Sequence, residues 1–209
     1  FFSSEIKAIL PFVSERKIHT QLASEYIAWN MLDHDNSQTM FENIKRLPAG
    51  CTLNWKANKR VSINRYWELS VPDKASILSS SHSDLIHEFR ERFEEVIKLH
   101  LRSDVPIGTS LSGGLDSSAI VGVLNKQLRK NGIWREGWQN SFSACFNELA
   151  LDERPYINEI VSSTGIDPHY VFPSGDQLLE DFENWMWSQE EPVGGTNAYA
   201  QYCVARNAN

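Results

Sequence analysis

Cysteine is scarce in this 209-residue chain. Its three copies, Cys51, Cys145 and Cys203, stand far apart, are odd in number and form no C-x-x-C pair. That excludes a disulfide scaffold, argues against a zinc knuckle, and makes a reducing, cytoplasmic compartment the default expectation. Long apolar runs are missing too, since no stretch approaches the roughly 18–20 residues needed to cross a bilayer. Nor is there a basic surplus: 20 Lys and Arg stand against 27 Asp and Glu, a net charge of −7. A general nucleic-acid binder, a tRNA-modifying enzyme included, would carry a basic stripe. The first residues, Phe1-Phe2-Ser3-Ser4-Glu5, lack an initiator Met and a basic n-region, and so do not read as a secretory signal. They open as if in mid-strand, and Ala205-Arg206-Asn207-Ala208-Asn209 stops inside a helical pattern. The expectation is a piece of a longer protein, with chemical groups outside it.

What is present suits a folded protein: 41% hydrophobic and 22% charged residues, too apolar for disorder. A polar, Ser-rich stretch from Leu69 to Ser83 reads as a linker between two regions. Before it, His19 to Leu32 places Leu22, Tyr26 and Trp29 at helical spacing, while Cys51–Trp55 and Arg60–Trp67 read as a hairpin around Lys56–Lys59. After it, helices and short strands alternate. Asp84–Arg102 is a helix capped by Ser83, with Leu85, Phe89, Phe93, Val96 and Ile97 on one face. Val105–Leu111 is a strand, Ser117–Lys130 a helix with Ile120, Val123, Leu124 and Leu128 inward, and Ser141–Phe146 a strand. Glu153–Thr164 is a helix ending at Gly165, His169–Phe172 a strand, and Gln177–Trp187 and Ala198 onward are helices. A β-α-β-α-β order demands an α/β fold, a parallel sheet covered by helices, with ligands at the carboxyl ends of the strands.

The turn at the first such end is Ser110-Leu111-Ser112-Gly113-Gly114-Leu115-Asp116-Ser117-Ser118. Two glycines let backbone approach a phosphate, and the first helical N–H groups have no partner within the helix. Ser112, Ser117 and Ser118 add hydroxyls. No Lys follows the glycines, so this is not the loop of P-loop NTPases. Asp116 stands there instead. A carboxylate beside phosphates needs a cation between them, which implies Mg²⁺. An ordinary βα turn with Ser and Asp as caps is the plain alternative, but five fixed positions arise by chance only about once in several thousand chains of this length. Trp185 and Trp187 read as packing residues, Cys145 as a buried small residue, and the histidines as surface or core.

The string SGGLDSS resembles the pyrophosphate-binding loop (PP-loop) of the N-type ATP pyrophosphatases. Other segments are similar to the glutamine-hydrolysing asparagine synthetase family. Phe2-Ser3-Ser4-Glu5-Ile6-Lys7-Ala8-Ile9-Leu10 resembles a strand near the end of its glutaminase domain, and Phe41, Ile44, Leu47 to Pro48-Ala49-Gly50 and Arg65-Tyr66-Trp67 resemble F-x-x-I-x-x-LPPG…YW. Ala49 replaces the commoner second Pro. Val105-Pro106-Ile107-Gly108 resembles VPxG, and Gln189-Glu190-Glu191-Pro192 resembles Q-D-E-P, with Glu190 in place of Asp.

The resemblance implies an adenine nucleotide alpha hydrolase-like synthetase portion at 84–209. It also implies a linker at 71–83 and, at 1–70, the β-rich end of a glutaminase (Ntn-type, class II amidotransferase) domain. It implies ATP across the strand ends: Ser110 and Leu111 at the nucleotide, Ser112, Gly113, Gly114, Asp116, Ser117 and Ser118 on pyrophosphate, Asp116 on Mg²⁺, and Ala144 on adenine. Glu190 and Glu191 would lie near the substrate cleft. No catalytic residue is expected within the chain, because the glutaminase Cys lies upstream and the second motif, resembling LSGxGxDE, would begin shortly after Asn209. The implied reaction converts aspartate, ATP and glutamine-derived ammonia to asparagine, AMP and pyrophosphate. Relatives that adenylate other carboxylates, such as β-lactam synthetases and lasso-peptide cyclases, keep the loop, and a non-catalytic nucleotide-binding fragment is a further reading. The implied partners are small molecules, with no nucleic acid or membrane, and there is room for a homodimer of the full-length protein.

Overall fold

The computed structural model of the chain describes residues 1–32, 34–57, 60–71, 81–148 and 150–208. The core of the expected linker and part of the expected hairpin turn therefore lie outside the described residues. The chain divides into two compact units, Phe1–Pro72 with Asp181–Thr196, and Asp73–Glu180 with Asn197–Asn209.

The second unit is built on a parallel sheet of order β3-β4-β5, formed by Ile107–Ser110, Gln139–Ala144 and Asp167–Val171. Ile107 pairs with Gln139 and Ser110 with Phe142, and Ala144 pairs with Val171. Strand β5 tolerates Pro168 because it is the edge of the described sheet, where one row of N–H groups has no ladder to serve. The α/β class and its parallel sheet are as the alternation of elements demands. Both β4 and β5 start two residues earlier than expected, since Gln139-Asn140 and Asp167-Pro168 look like turn residues in sequence. Gln139 is nevertheless buried, with its polarity absorbed by partners.

Those partners fix the helix that follows the glycine loop, α3 (Leu115–Lys130). Asn125 Nδ2 donates to Gln139 Oε1 at 2.9 Å and to the Thr164 carbonyl at 3.1 Å, and Gln139 Nε2 donates to the Val121 carbonyl at 3.1 Å. Arg129 donates to Asn125 Oδ1 and to the Thr164 carbonyl, and its guanidinium lies 4.1 Å from the Trp134 ring centroid. The amides of Asn125 and Gln139 taken into this core are thus satisfied, as burial requires. The apolar core beside it joins Leu111, Val121, Cys145, Ile157 and Ile166, and a second cluster joins Ile97, Leu124 and Leu128. The buried residues of α3 are Val121, Leu124, Asn125, Gln127 and Leu128, with Val123 half-buried; the expected Ile120 instead lies exposed.

Helix α2 spans His82–His100, and α4, between β4 and β5, spans Arg154–Thr164 and closes on Gly165. The expected Ser83 cap is corrected: Ser81 holds the cap position without a side-chain bond, and Asp84 supplies negative charge to the first turn. Its apolar face is also corrected. Only Ile97 is buried, with Phe93 half-buried against its cluster and stacked on Phe89, whereas Leu85, Phe89 and Val96 stay exposed. Helix α5 spans Gly175–Gln189, and α6, Asn197–Asn207, lies against β4 and β5.

In the first unit, α1 (Thr20–Trp29) is capped by His19, whose Nδ1 accepts the Leu22 N–H, and Asn30 closes it in the left-handed region. Strands β1 (Cys51–Asn54) and β2 (Ser62–Arg65) pair antiparallel, Cys51 with Arg65 and Asn54 with Ser62. The LPAG and RYW segments meet here, because the Gly50 carbonyl accepts the N–H groups of Tyr66 and Trp67. A side chain at Gly50 would strike the Trp67 carbonyl. Residues Phe2–Leu10 are not the expected strand. They form turns leading into a 3-10 helix at Leu10–Phe12, since Ile9 and Leu10 donate to the Ile6 carbonyl. Trp185 is buried as expected, but Trp187 is 61% exposed, which corrects its reading as a packing residue.

Candidate functional site

Strand β3 ends at Ser110, and Leu111 is the last buried residue before the chain turns. Leu111 donates its N–H to the Phe142 carbonyl at 3.0 Å and accepts at its own carbonyl the Ser143 hydroxyl at 2.6 Å. Both polar atoms of one residue are therefore tied to β4 immediately ahead of the glycines.

The loop then organises itself. Ser112 N–H donates to Ser117 Oγ at 3.3 Å, the two hydroxyls lie 3.1 Å apart, and Ser117 Oγ donates to the Gly114 carbonyl at 3.2 Å. Gly113 sits at φ +77°, in the left-handed region, with α4 close behind it. A Cβ there would lie 3.0 Å from Tyr156 Cβ and 3.2 Å from the Glu153 carbonyl. Gly114 caps α3 from extended backbone, with no side-chain bond. The N–H groups of Leu115, Asp116 and Ser117 accordingly have no helical carbonyl to serve, and they carry the positive end of a 16-residue helix.

The structure thus gathers Ser110 to Ser118 into one turn. Ala144 ends the neighbouring strand β4, next to Ser143. Asp116 is exposed in the first turn of α3, and among the described residues its carboxylate forms no hydrogen bond or ion pair. It is not the helix cap. No group of three or more His, Cys, Asp or Glu capable of holding a metal occurs among the described residues. A hard cation at Asp116 would therefore complete its shell from phosphate oxygens and water, which is how Mg²⁺ is ordinarily held beside nucleotides.

Glu190 and Glu191 are engaged within the first unit. Glu190, at φ +66°, ends α5 and accepts the N–H groups of Ile6 at 2.9 Å and Lys7 at 2.7 Å, with the Lys7 ammonium at 3.6 Å. Glu191 accepts the Met40 N–H at 2.6 Å and pairs with Arg46. Burial alone would push the Glu190 carboxyl up, but the Lys7 and Ile6 N–H groups and the Lys7 charge outweigh it and hold it below the ordinary glutamate range. A carboxylate with a lowered folded pKa stabilises above the unfolded value, about 4.3, and loses that contribution as pH falls toward the folded one. Glu190→Gln is therefore expected to lower the melting temperature at pH 7 and to flatten its decline below about pH 4.3. Thermal melts of both proteins across that range check this. Parallel declines would remove Glu190 from the account.

Sequence reasoning missed three contributors. Ser143 was visible only as part of a strand. The first turn of α4, at Glu153 to Ile157, backs Gly113. Arg154 donates from Nε to Asp152 Oδ1 at 2.7 Å, and its guanidinium lies 5.6 Å from the centroid of the Phe172 ring, just past β5. That bond, against a smaller cost of burial, lowers the Asp152 pKa, while burial pushes the neighbouring Cys145 thiol up. The one signal in the sequence was period-2 polarity: Gln139, Ser141 and Ser143 face the core of a central strand, and such residues need partners.

Residues 88–209 match the model of a family described as asparagine synthase. An amidase, chyE, of Penicillium rubens is 28% identical over 97% of the chain and 30% of its own length. Another amidase, chry2, of Gibberella zeae is 28% identical over 97% and 31%. A putative glutamine-hydrolyzing asparagine synthetase 2 of Methanocaldococcus jannaschii is 30% identical over 99% and 38%. The chain spans about a third of the length of these relatives.

Proposed function

The chain belongs to the asparagine synthase family, and we propose that the protein carrying it joins nitrogen to a carboxylic acid at the expense of ATP, releasing AMP and pyrophosphate. One observation carries the reading: a glycine loop at the end of a parallel strand that opens a helix, without lysine but with a carboxylate, Asp116, that engages no described group. In this reading Ser110 and Leu111 meet the nucleotide and Ala144 the adenine. Ser112, Gly113, Gly114, Asp116, Ser117 and Ser118 hold the pyrophosphate end.

The substrate carboxylate attacks the α-phosphorus, an acyl-adenylate forms, and ammonia then displaces AMP. The N–H groups of Leu115, Asp116 and Ser117 face the leaving pyrophosphate, with the loop hydroxyls beside them. Their orientation is fixed before the reaction by the helix and by the Ser112–Ser117 bonds, so no reorganisation is needed as charge develops. Asp116 fits Mg²⁺, which when bound would neutralise charge on the phosphates.

Aspartate as acceptor and glutamine as nitrogen source are supported by relatives named asparagine synthetases. The same reading assigns 1–70 to the end of a glutaminase domain, 71–83 to a linker and 84–209 to the synthetase portion. A second reading, amide chemistry on a different carboxylic acid, is favoured by the two fungal amidases that match nearly the whole chain.

The intact protein is expected to release pyrophosphate, not orthophosphate, from labelled ATP when its carboxylate substrate is present. Product analysis showing ADP and orthophosphate would sink the reading. Pyrophosphate release that ignores aspartate would favour the second.

A further inference from the structure

We propose that Ser143 is a positioning residue that aims the glycine loop from the neighbouring strand through the Leu111 carbonyl, and this rests on the nucleotide reading above. The ladder between β3 and β4 ends at Ser110 and Phe142, with Leu111 N–H donating to the Phe142 carbonyl as a last rung. The Leu111 carbonyl lies one step further, where β3 turns away. There the Ser143 hydroxyl, on a residue only 2% exposed, takes the place of a rung at 2.6 Å.

The consequence travels through one rigid unit. The Leu111 carbonyl and the Ser112 N–H belong to the same planar peptide, so fixing one direction fixes the other. That N–H donates to Ser117 Oγ, which donates to the Gly114 carbonyl. A single buried hydroxyl on β4 is thereby linked, through two loop residues, to the first turn of α3. Ser143 also precedes Ala144, so one dipeptide of β4 bears on both ends of the proposed nucleotide site. It touches no reacting atom and acts only through the loop.

An internal control lies two residues away on the same face. Ser141 is fully buried, and its hydroxyl has no partner among the described residues. If Ser143 mattered merely as a buried serine, the two positions would respond alike.

The test measures equilibrium binding of ATP with Mg²⁺ to the intact protein by calorimetry, with melting temperatures recorded in parallel. Ser143→Ala is expected to weaken ATP binding about tenfold, because the freed peptide no longer presets the loop. Ser143→Cys keeps the shape with a weaker donor and should fall between. Ser141→Ala should leave both affinity and melting temperature unchanged or slightly improved. ATP affinity within twofold of the parent in both Ser143 variants would overturn the proposal. So would equal losses of affinity at Ser141 and Ser143. A parent protein that binds no ATP would overturn the nucleotide reading itself and the inference with it, and no variant is needed to see that result.

Discussion

Asp116→Asn in the intact protein is expected to cut turnover by about 10²–10³ while leaving the fold intact. The side chain keeps its size and hydrogen-bonding reach and loses only its charge. That charge makes no hydrogen bond or ion pair in the folded loop: the cap position belongs to Gly114, and Asp116 engages no described group. Its favourable interaction with the α3 N-terminus is worth about 0.3–1 kcal/mol, so a small loss of stability is the most the variant should suffer. On the proposed reading its value lies in balancing phosphate charge through a cation, and that demand would be greatest as pyrophosphate departs. Turnover should therefore fall far more than ATP affinity. Circular dichroism and steady-state rates with aspartate and ATP decide the matter. Activity within a few-fold of the parent would reduce Asp116 to a bystander at a helix end.

Gly113→Ala should be damaging for a different reason. The left-handed backbone at φ +77° costs a residue with a Cβ about 1–2 kcal/mol. The added carbon would also sit 3.0 Å from Tyr156 Cβ and 3.2 Å from the Glu153 carbonyl, on the rigid first turn of α4. Overpacking of this kind costs about 1–3 kcal/mol more. Either the loop or α4 must yield, and both alternatives spoil the geometry ahead of α3. Denaturant unfolding should show a loss of roughly 2–5 kcal/mol, and ATP-dependent turnover should be lost with it. Gly114→Ala is the informative companion. Its backbone is extended, and a Cβ would meet only Ser112 Oγ, at 3.4 Å. Its fold should survive. A stable, active Gly113→Ala would mean that the loop relaxes freely and that its observed shape is not the working one.

How much of this was legible in the sequence depended on how local the cause was. The loop could be read because its determinants are consecutive: two glycines, three serines and an aspartate between a strand and a helix. The alternation of strands and helices was equally local and gave the parallel sheet. Strand β4 was misplaced by two residues because Gln139 looks like a loop residue until Asn125, fourteen positions away, appears as its partner. Phe2–Leu10 failed for a related reason. Its N–H groups are taken partly by the Ile6 carbonyl and partly by Glu190, 184 and 183 residues further on, and no periodicity announces such a partner. The apolar face of α2 was real as a pattern but told nothing about what covers it. The period-2 polarity marked Ser143 as needing a partner but not the role proposed for it, because a hydroxyl on a strand acquires meaning only when the carbonyl above it is known.

The bonds made by Glu190 and Glu191 are lopsided in what they ask of evolution. On one side stand two particular carboxylates. On the other, at Ile6, Lys7 and Met40, the acceptors are met by main-chain N–H groups, which every residue except proline supplies. Apart from the Lys7 ammonium beside Glu190 and the Arg46 pair with Glu191, the side chains opposite the acids can drift without loosening these bonds, while neither acid can change without breaking at least one. In a family whose members diverge to the identities seen here, such a joint would outlast the resemblance of the segment it holds, its memory written almost wholly on one partner.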